Sequence, residues 1–308
     1  MLFRQLEYFV AVARERHFAR AAETCFVSQP ALSAAISKLE TELGVSLINR
    51  GHTFEGLTPE GERLVIWARR ILAEHDAFTS EVRAVQTGIS GTLRIGIGPT
   101  AAAATALIVE EFASAHPLAR IQLSEHLRSV DLHRHVIDFE LDAAIAYLPP
   151  EDQKGVNTSL LYRERYVAIS TPNLIPAETL ELTWVEAAQL PLVLLNSHMR
   201  VREFIDHAFA ANDLHVTPHV EAESVETLSA LVQTGGWVSI VPHTLTHTFA
   251  AANGIRAIPL VDPTIHAEVV LATHPSASLI TRALVDTAEK CDLSSLTGSR
   301  EVINKYDR

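Results

Sequence analysis

Three polar side chains recur at intervals of four residues, Gln29, Ser33 and Ser37, with small residues around them. On a helix this interval places all three on one face. Amide and hydroxyl groups hydrogen-bond to base edges of DNA, and small neighbours such as Ala31 and Ala34 allow a helix to enter the major groove. The same composition also fits an ordinary exposed polar face, so this helix alone leaves both interpretations open.

The elements around this face follow a helix-turn-helix pattern. Apolar residues spaced three and four apart predict three short helices, carried by Leu6, Phe9, Val10 and Ala13, by Phe18, Ala21, Ala22 and Cys25, and by Leu32, Ile36, Leu39 and Leu43. Ser28 suits the N-cap of the third helix, Pro30 its first turn, and Gly44 its end. Only Phe26 and Val27 separate the second and third helices, so the chain must turn sharply there.

Charge is distributed unevenly along the 308 residues. The whole chain has 25 Lys and Arg against 37 Asp and Glu, a net charge of −12, but residues 1–70 are nearly balanced. Bulk charge therefore does not favour non-specific coating of nucleic acid, and the asymmetry indicates separate domains with separate partners. Near the third helix, Lys38 and Arg50 are placed to contact phosphates, and residues 51–56 are expected to form a tight wing between two short strands.

These motifs resemble the winged helix-turn-helix of LysR-type transcriptional regulators. The matching motifs, with x for any residue, are Leu6-x-x-Phe9, Phe18-x-x-Ala21-Ala22, Ser28-Gln29-Pro30-Ala31-Leu32-Ser33, Ile36-x-x-Leu39-Glu40-x-x-Leu43-Gly44, Leu47-x-x-Arg50 and Leu57-Thr58-x-x-Gly61. One departure is Ile48-Asn49, where the family usually has Phe before the variable residue, and this loosens the apolar anchor of the wing. The resemblance implies DNA contacts from six residues: Gln29, Pro30, Ser33, Lys38, Arg50 and Thr53.

A long helix with a heptad pattern is predicted next. Thr58 suits its N-cap, Pro59 its first position, and Gly61 is the only breaker before Gly88. A seam with alternating spacings of four and three comprises Leu64, Ala68, Ile71, His75, Phe78, Val82 and Val85. A lone amphipathic helix usually packs on its own core, but its length and its place after a DNA-binding unit favour pairing of two subunits, as the resemblance also implies. Paired subunits would hold two recognition helices about one DNA turn, roughly 34 Å, apart.

From residue 92 onward, predicted strands alternate with helices, which indicates a largely parallel sheet in two lobes. Motifs at residues 91–96, 142–145, 223–225 and 231–242 resemble the LysR-type effector domain. Trp237 stands where that family commonly has Gly, and is expected to narrow the local pocket or alter its packing. The resemblance implies the two-lobed fold of type-2 periplasmic binding proteins, with chain crossings near residues 161–166 and 261–267.

The predicted fold class is α/β with an N-terminal all-α winged helix-turn-helix and a two-lobed, periplasmic-binding-protein-like effector domain. The predicted domains are the winged helix-turn-helix DNA-binding domain 1–58, a linker or dimerisation helix 59–87, a hinge 88–91, the effector-binding domain 92–295 and a C-terminal tail 296–308. Within the effector domain, lobe I is predicted to comprise residues 92–162 and 267–295, and lobe II residues 163–266.

An effector site is expected at the carboxyl ends of the strands, where open α/β sheets bind ligands. Helix N-termini directed there favour a small organic anion, and Thr100 is predicted to open the helix after the first strand. The candidate ligands are four residues with hydrogen-bond donors near these strand ends: Thr100, Ser129, Asn196 and Arg202.

Other constellations do not indicate catalysis, a metal or a cofactor. His133-x-His135 and His243-x-x-x-His247 have metal-compatible spacing but lack an obvious third ligand. Gly96-x-Gly98 lacks the third glycine of a dinucleotide fingerprint. The two cysteines, Cys25 and Cys291, cannot form a disulfide framework.

We therefore predict a cytoplasmic transcriptional regulator, not an enzyme, that binds promoter or operator DNA as a homodimer or dimer of dimers. No apolar run approaches the length of a membrane span, and the first residues do not resemble a signal peptide. A small effector, an organic anion, would control it. Two alternatives stay open: a cytoplasmic solute-binding module without a DNA role, and a metal-dependent hydrolase built on the histidines.

Overall fold

The computed structural model describes residues 1–50, 54–125, 129–246 and 254–297, and only the backbone of residues 50, 83–87, 129 and 130. The chain divides into two compact units. Unit 1 comprises residues 1–91 with the short segments 137–140 and 278–280, and unit 2 comprises residues 92–136, 141–277 and 281 onward. No helix among the described residues is long and apolar enough to cross a membrane.

Unit 1 contains the three predicted short helices, a two-stranded wing and the long helix. Its elements are α1 (Phe3–Glu15), α2 (Phe18–Thr24), α3 (Gln29–Leu43), β1 (Ile48–Arg50), β2 (Phe54–Leu57) and α4 (Pro59–Thr87). The Ser28 hydroxyl caps α3 by accepting a hydrogen bond from the Ala31 backbone N–H at 3.4 Å. Gly44 ends α3 in the left-handed region, at a φ of 70°, which glycine adopts without steric cost. Strands β1 and β2 pair antiparallel, as predicted for the wing.

Apolar residues of all three short helices form the core of unit 1. Leu32, Ile36 and Leu39 on α3 are completely buried, and Phe9 and Val12 of α1 belong to the same core cluster. The spacing seen in the sequence thus corresponds to one buried face per helix. The opposite face of α3 carries exposed residues, among them Pro30, Ala34 and Lys38.

Thr58 joins the wing to α4 with a single hydroxyl group. This hydroxyl donates to the Ser46 carbonyl at 2.6 Å and accepts from the Gly61 backbone N–H at 2.9 Å. The predicted N-cap is therefore formed. Gly61 passes so close to Leu47 that any Cβ at position 61 would overlap the Leu47 carbonyl oxygen, which explains glycine there.

Strands and helices alternate from residue 90 onward, as predicted. The elements are β3 (Ser90–Ile97), α5 (Ala102–Ala115), β4 (Leu118–Ser124), α6 (Ser129–Ile137), β5 (Ala143–Tyr147), β6 (Asn157–Ser170), β7 (Leu182–Thr183), α7 (Trp184–Ala187), β8 (Val193–Leu195), α8 (Arg200–Ala210), β9 (Val220–Ala222), α9 (Val225–Gln233), β10 (Ser239–Pro242), β11 (Arg256–Val261), β12 (His266–Thr273), α10 (Leu279–Lys290) and α11 (Ser294–Thr297). Residues 245–252, which the sequence pattern also predicts to be helical, lie mostly outside the described residues.

The main sheet is mixed, whereas the alternation of elements predicted a largely parallel one. Its order is β4-β3-β5-β12-β6-β11-β7, and β10 also pairs with β6. Strands β3 and β5 are parallel, but β12 runs antiparallel to both β5 and β6. The centre of the sheet is antiparallel because β6 and β12, the two strands that carry the chain between the lobes, run in opposite directions and pair with each other.

Strand β6 changes partners in its middle, and this change separates two lobes. Arg165 is paired with His266 of β12, whereas the next residue, Tyr166, is paired with Pro242 of β10. We call lobe I the part built around β3, β4 and β5, and lobe II the part built around β8 to β11. Lobe II has its own core, in which Trp184 packs edge-to-face on Phe209.

Candidate DNA interface and effector site

The face of α3 opposite the core presents the predicted DNA contacts to solvent. Gln29, Pro30 and Lys38 are exposed, and Ser33 is half-buried. The structure thus brings four of the six predicted residues onto one helix. Arg50 ends β1, with only its backbone described, and Thr53 lies outside the described residues.

Ser37 differs from the other two polar residues of this face. Its hydroxyl donates to the backbone carbonyl of Ser33 at 3.0 Å, one helical turn earlier. A hydroxyl used in this way has its proton committed to the helix backbone. Gln29 and Ser33 therefore remain as the side chains of this face best suited to donate to base edges.

The side chains of Gln5, which is buried, and Glu40, which is half-buried, hold α3 in position, and the sequence patterns did not predict their contacts. Gln5 on α1 is 3% exposed, accepts from the Leu2 backbone N–H and donates to the Ala35 carbonyl of α3. The Glu40 carboxylate accepts from the backbone N–H groups of Leu47 and Ile48, at 2.9 and 3.3 Å. Glu40 thereby attaches β1 of the wing to the recognition helix, and these contacts depend on residues seven and eight positions away.

The first half of the predicted heptad seam packs against the core of unit 1, and a role of these positions in subunit pairing stays a prediction. Ala68 is 3% exposed and belongs to the core that α1 and α3 share, and Leu64 and Ile71 pack against the same core. The reason is that the start of α4 covers the helix-turn-helix. The side chain of Val85 is outside the described part of the chain.

Two residues of the second half of the seam, Phe78 and Val82, are exposed, together with Trp67, which lies outside the seam. Trp67 is 56% and Phe78 68% exposed, and Val82 is also exposed. Trp67 and Phe78 line an open groove together with Phe3 and His75, whose rings lie 4.2 Å apart. Exposed aromatic residues in one groove are typical of a protein–protein contact surface.

At the predicted effector edge, Thr100 contacts a buried carboxyl group. Helix α5 begins at Ala102, after the cap residue Ala101, so Thr100 does not cap it as predicted. The Thr100 hydroxyl instead donates to Glu164 Oε2 at 3.4 Å, and the Thr244 hydroxyl donates to Glu164 Oε1 at 2.8 Å. Burial raises the pKa of Glu164 to about 7, although the hydrogen bond from Thr244 opposes this shift.

Arg202, a predicted effector ligand, is buried and paired with protein groups. It is 5% exposed, and its guanidinium donates to Asp206 at 2.7 Å, to Glu221 at 2.9 Å and to the Leu195 carbonyl at 2.9 Å. These contacts tie α8 to β8 and β9. Arg202 therefore stabilises lobe II from within.

Arg200, two residues earlier, connects the lobes. Its guanidinium donates at 2.7 Å to Asp152, which follows β5 of lobe I, and at 2.7 Å to Glu203. Nearby, Tyr147 of lobe I packs edge-to-face on Phe204 of lobe II, at 4.3 Å between ring centroids. The Nε of Arg200 is buried and has no hydrogen-bond acceptor among the described residues.

The other predicted effector residues lie at element ends. Asn196 follows β8, where its backbone N–H donates to Ala222 at 2.9 Å. Ser129 begins α6, with only its backbone described. Trp237 packs against the lobe II core near His219, whose ring centroid is 5.8 Å away.

The histidine pairs do not assemble a metal site within the described residues, where no three His, Cys, Asp or Glu side chains converge. The Nδ1 atom of His243 accepts from the Arg165 backbone N–H at 3.1 Å, and His247 falls outside the described part of the chain.

Two family models match this chain. The bacterial regulatory helix-turn-helix protein model of the lysR family matches residues 3–62, and the LysR substrate binding domain model matches residues 86–291. The chain belongs to the LysR family. This LysR-type protein is a DNA-binding transcriptional regulator with an effector-binding domain, as the resemblance implied.

Relatives match this LysR-type regulator over most of its length. The hydrogen peroxide-inducible genes activator of Haemophilus influenzae is 28% identical, covering 92% of this chain and 93% of the relative. The nitrogen assimilation regulatory protein nac of Escherichia coli is 30% identical, covering 82% of each chain. A full-length OxyR variant from Pseudomonas aeruginosa superposes with a TM-score of 0.78 at 27% identity, covering 95% of this chain and 96% of the other.

Proposed function

We propose that this LysR-type regulator recognises its operator with the exposed face of α3, through Gln29, Pro30 and Ser33. The observation that carries the proposal is that this face is free of the core while the opposite face is completely buried. Lys38, Arg50 and Thr53 add phosphate or wing contacts, which fix the register without selecting a sequence.

A gel shift on DNA upstream of its own gene tests this assignment. Ser33→Glu places a charge against the groove and should abolish the specific shift. The matched control is Ser33→Ala, which keeps the helix and removes only a hydroxyl, so affinity should fall severalfold at most. Retained binding by folded Ser33→Glu would contradict the assignment, and loss of binding with a normal melting temperature would support it.

We propose that the effector binds between the lobes and is a small organic anion. Thr100, Ser129 and Asn196 remain candidate contacts, but Arg200 replaces Arg202 as the proposed cation. Arg202 already satisfies two carboxylates and a carbonyl, whereas Arg200 keeps a buried Nε–H without an acceptor among the described residues. A buried donor without a partner is costly, so an anionic acceptor at this position would be favoured.

The ion pair between Arg200 and Asp152 suggests how the effector acts. An anion on Arg200 competes with Asp152, whose carboxylate links Arg200 to lobe I. Effector binding would weaken this link, shift the population of lobe arrangements and thereby alter how paired subunits present their recognition helices. A thermal-shift screen of metabolite carboxylates against neutral analogues tests the anionic class. A response to neutral ligands alone would contradict it.

We also propose that α4 pairs two subunits through the exposed groove around Trp67 and Phe78. A second copy of the same groove would cover these aromatic rings, and self-complementary surfaces of this kind form two-fold dimers. The proposal includes the predicted domain limits, which are helix-turn-helix 1–58, linker helix 59–87, hinge 88–91 and effector domain 92–295.

The regulator is proposed to act in the cytoplasm, where its DNA is, and to have no enzymatic activity. The helix-turn-helix match argues against the alternative of a solute-binding module without a DNA role, and an effector-free gel shift tests DNA binding directly. The relatives named for hydrogen peroxide suggest a redox input, but the chemistry here disfavours it. Burial, together with Glu111, raises the pKa of Cys291 to about 11, and burial also raises the pKa of Cys25, which disfavours the thiolate that reacts with oxidants.

A further inference from the structure

Phe26, in the turn between α2 and α3, adopts an unfavourable conformation with its side chain in water. Its φ is 55°, in the left-handed region that disfavours residues with a Cβ, and its side chain is 95% exposed. A large apolar ring in solvent contributes none of the free energy that burial supplies to folding. The backbone conformation of Phe26 therefore opposes the folded state of the isolated protein, and burial of its ring does not offset that cost.

The turn itself does not require the Phe26 ring. Backbone hydrogen bonds hold it: the Phe26 N–H donates to Glu23 at 3.1 Å, and the Val27 N–H donates to Ala22 at 3.0 Å. The neighbouring side chains of Cys25 and Val27 pack on the unit 1 core. Glycine or asparagine would suit the left-handed φ better, so the ring is expected to serve a partner outside the fold.

The position of Phe26 indicates which partner that is. It lies two residues before the α3 cap, and residues 28–31, which follow it, are all exposed. Only the half-buried Val27 separates Phe26 from the exposed start of the face assigned to DNA, where Gln29, Pro30 and Ala31 bear no charge. Apolar side chains, including Phe, contact the methyl group of thymine in the major groove.

We propose that Phe26 is a further DNA-contacting residue that packs its ring against apolar C–H groups of the operator. These groups are supplied by a thymine methyl or by a deoxyribose at the margin of the α3 contact. The inference rests on the proposed recognition role of α3. It adds an apolar contact from the turn to the polar contacts from the helix.

The test compares three variants of the full-length protein by fluorescence anisotropy on operator DNA over a series of salt concentrations. Phe26→Gly and Phe26→Asn suit the left-handed φ, so their melting temperatures should equal or exceed that of the wild type, while operator affinity falls about tenfold. Phe26→Leu keeps an apolar side chain and should lose less affinity. Because no phosphate contact is lost, the salt slope should stay unchanged, unlike that of Lys38→Gln.

Wild-type affinity in Phe26→Gly would overturn the proposal, as would affinity that falls only in parallel with melting temperature. Replacing single thymidines with deoxyuridine identifies the source of the contact. If one replacement weakens DNA binding by the wild type but not by Phe26→Gly, the ring contacts the thymine methyl at that position. If no replacement has this effect, the ring contacts a deoxyribose. Ser33→Glu distinguishes failure of the Phe26 inference from failure of the proposed role of α3. If Ser33→Glu blocks DNA binding and Phe26→Gly leaves it unchanged, only the Phe26 inference fails.

Discussion

Glu164 accepts a hydrogen bond from Thr244 at 2.8 Å, and its second carboxyl oxygen accepts from Thr100 at 3.4 Å. Thr244 follows β10 of lobe II, Thr100 follows β3 of lobe I, and Glu164 lies on the strand that passes between them. One buried carboxyl group thus links both lobes at the point where the chain crosses. The buried hydroxyls of Tyr162 and Tyr166 occur on the same strand, and burial raises the pKa of both.

Glu164→Gln should make stability less dependent on pH. Burial raises the pKa of this carboxyl from 4.5 to about 7, so its contribution to stability is fully present below about pH 4.5 and is lost as the pH rises through about 7. A shift of this size corresponds to about 3 kcal/mol in the free energy of unfolding. Urea denaturation across this range should show the wild type losing stability relative to the variant.

The control for this measurement is Glu268→Gln, which changes an exposed carboxylate on β12 that pairs with Arg163. It should follow the wild-type pH profile. A stability difference between wild type and Glu164→Gln that stays constant with pH would contradict the raised pKa.

Arg202→Gln should destabilise lobe II without altering the effector response. The substitution leaves Asp206 and Glu221 without their cation, but both carboxylates are partly exposed, so we expect a loss of about 1–2 kcal/mol. Differential scanning calorimetry measures this loss, and the carboxylate-induced thermal shift should persist. Disappearance of that shift at unchanged stability would restore Arg202 as an effector ligand.

Asp152→Asn should strengthen binding of carboxylate effectors. Removing the charge frees Arg200 from its partner in lobe I, so an anion no longer competes with Asp152 for the guanidinium. Isothermal titration with the carboxylate that responds in the thermal-shift screen should give an affinity about tenfold higher than that of the wild type. Glu203→Gln is the matched control, because it removes the other carboxylate of Arg200 within lobe II. Weaker binding in Asp152→Asn would oppose the proposed competition.

Phe78→Asp should weaken association of the subunits. The side chain is 68% exposed in the α4 groove, and burying a carboxylate there against a second copy would be unfavourable. Sedimentation equilibrium should show a dissociation constant raised by at least about tenfold. Asp76→Ala is the control, since residue 76 lies on the opposite side of the helix at 100° per residue. Equal association of both variants would place the interface elsewhere.

Local patterns in the sequence were sufficient for the helix-turn-helix. Caps and apolar spacing predicted α1, α2 and α3 because each depends on residues within a few positions of one another. The Ser28 cap, the Gly44 end and the buried Leu32, Ile36 and Leu39 are all properties of one helix.

Periodicity alone did not predict which residues of the heptad seam are buried within the chain and which are exposed. The spacing placed Leu64, Ala68 and Phe78 in one stripe, but it cannot distinguish a stripe that covers its own domain from one that meets another subunit. The packing of α1 and α3 buries Ala68 and leaves Trp67 and Phe78 exposed. The two outcomes depend on which neighbour is present, and the helix pattern alone does not contain that information.

The effector site depended most on tertiary contacts. Residue types and spacing predicted the strand ends and the candidates Thr100 and Arg202. They could not tell that Arg202 pairs with Glu221, that Arg200 reaches Asp152, or that Glu164 lies buried between two threonines. These partners are 19 to 80 positions apart in the chain. The Arg202 contacts form when lobe II folds, and those of Arg200 and Glu164 form when the lobes meet. These contacts decide which cation remains available to a ligand.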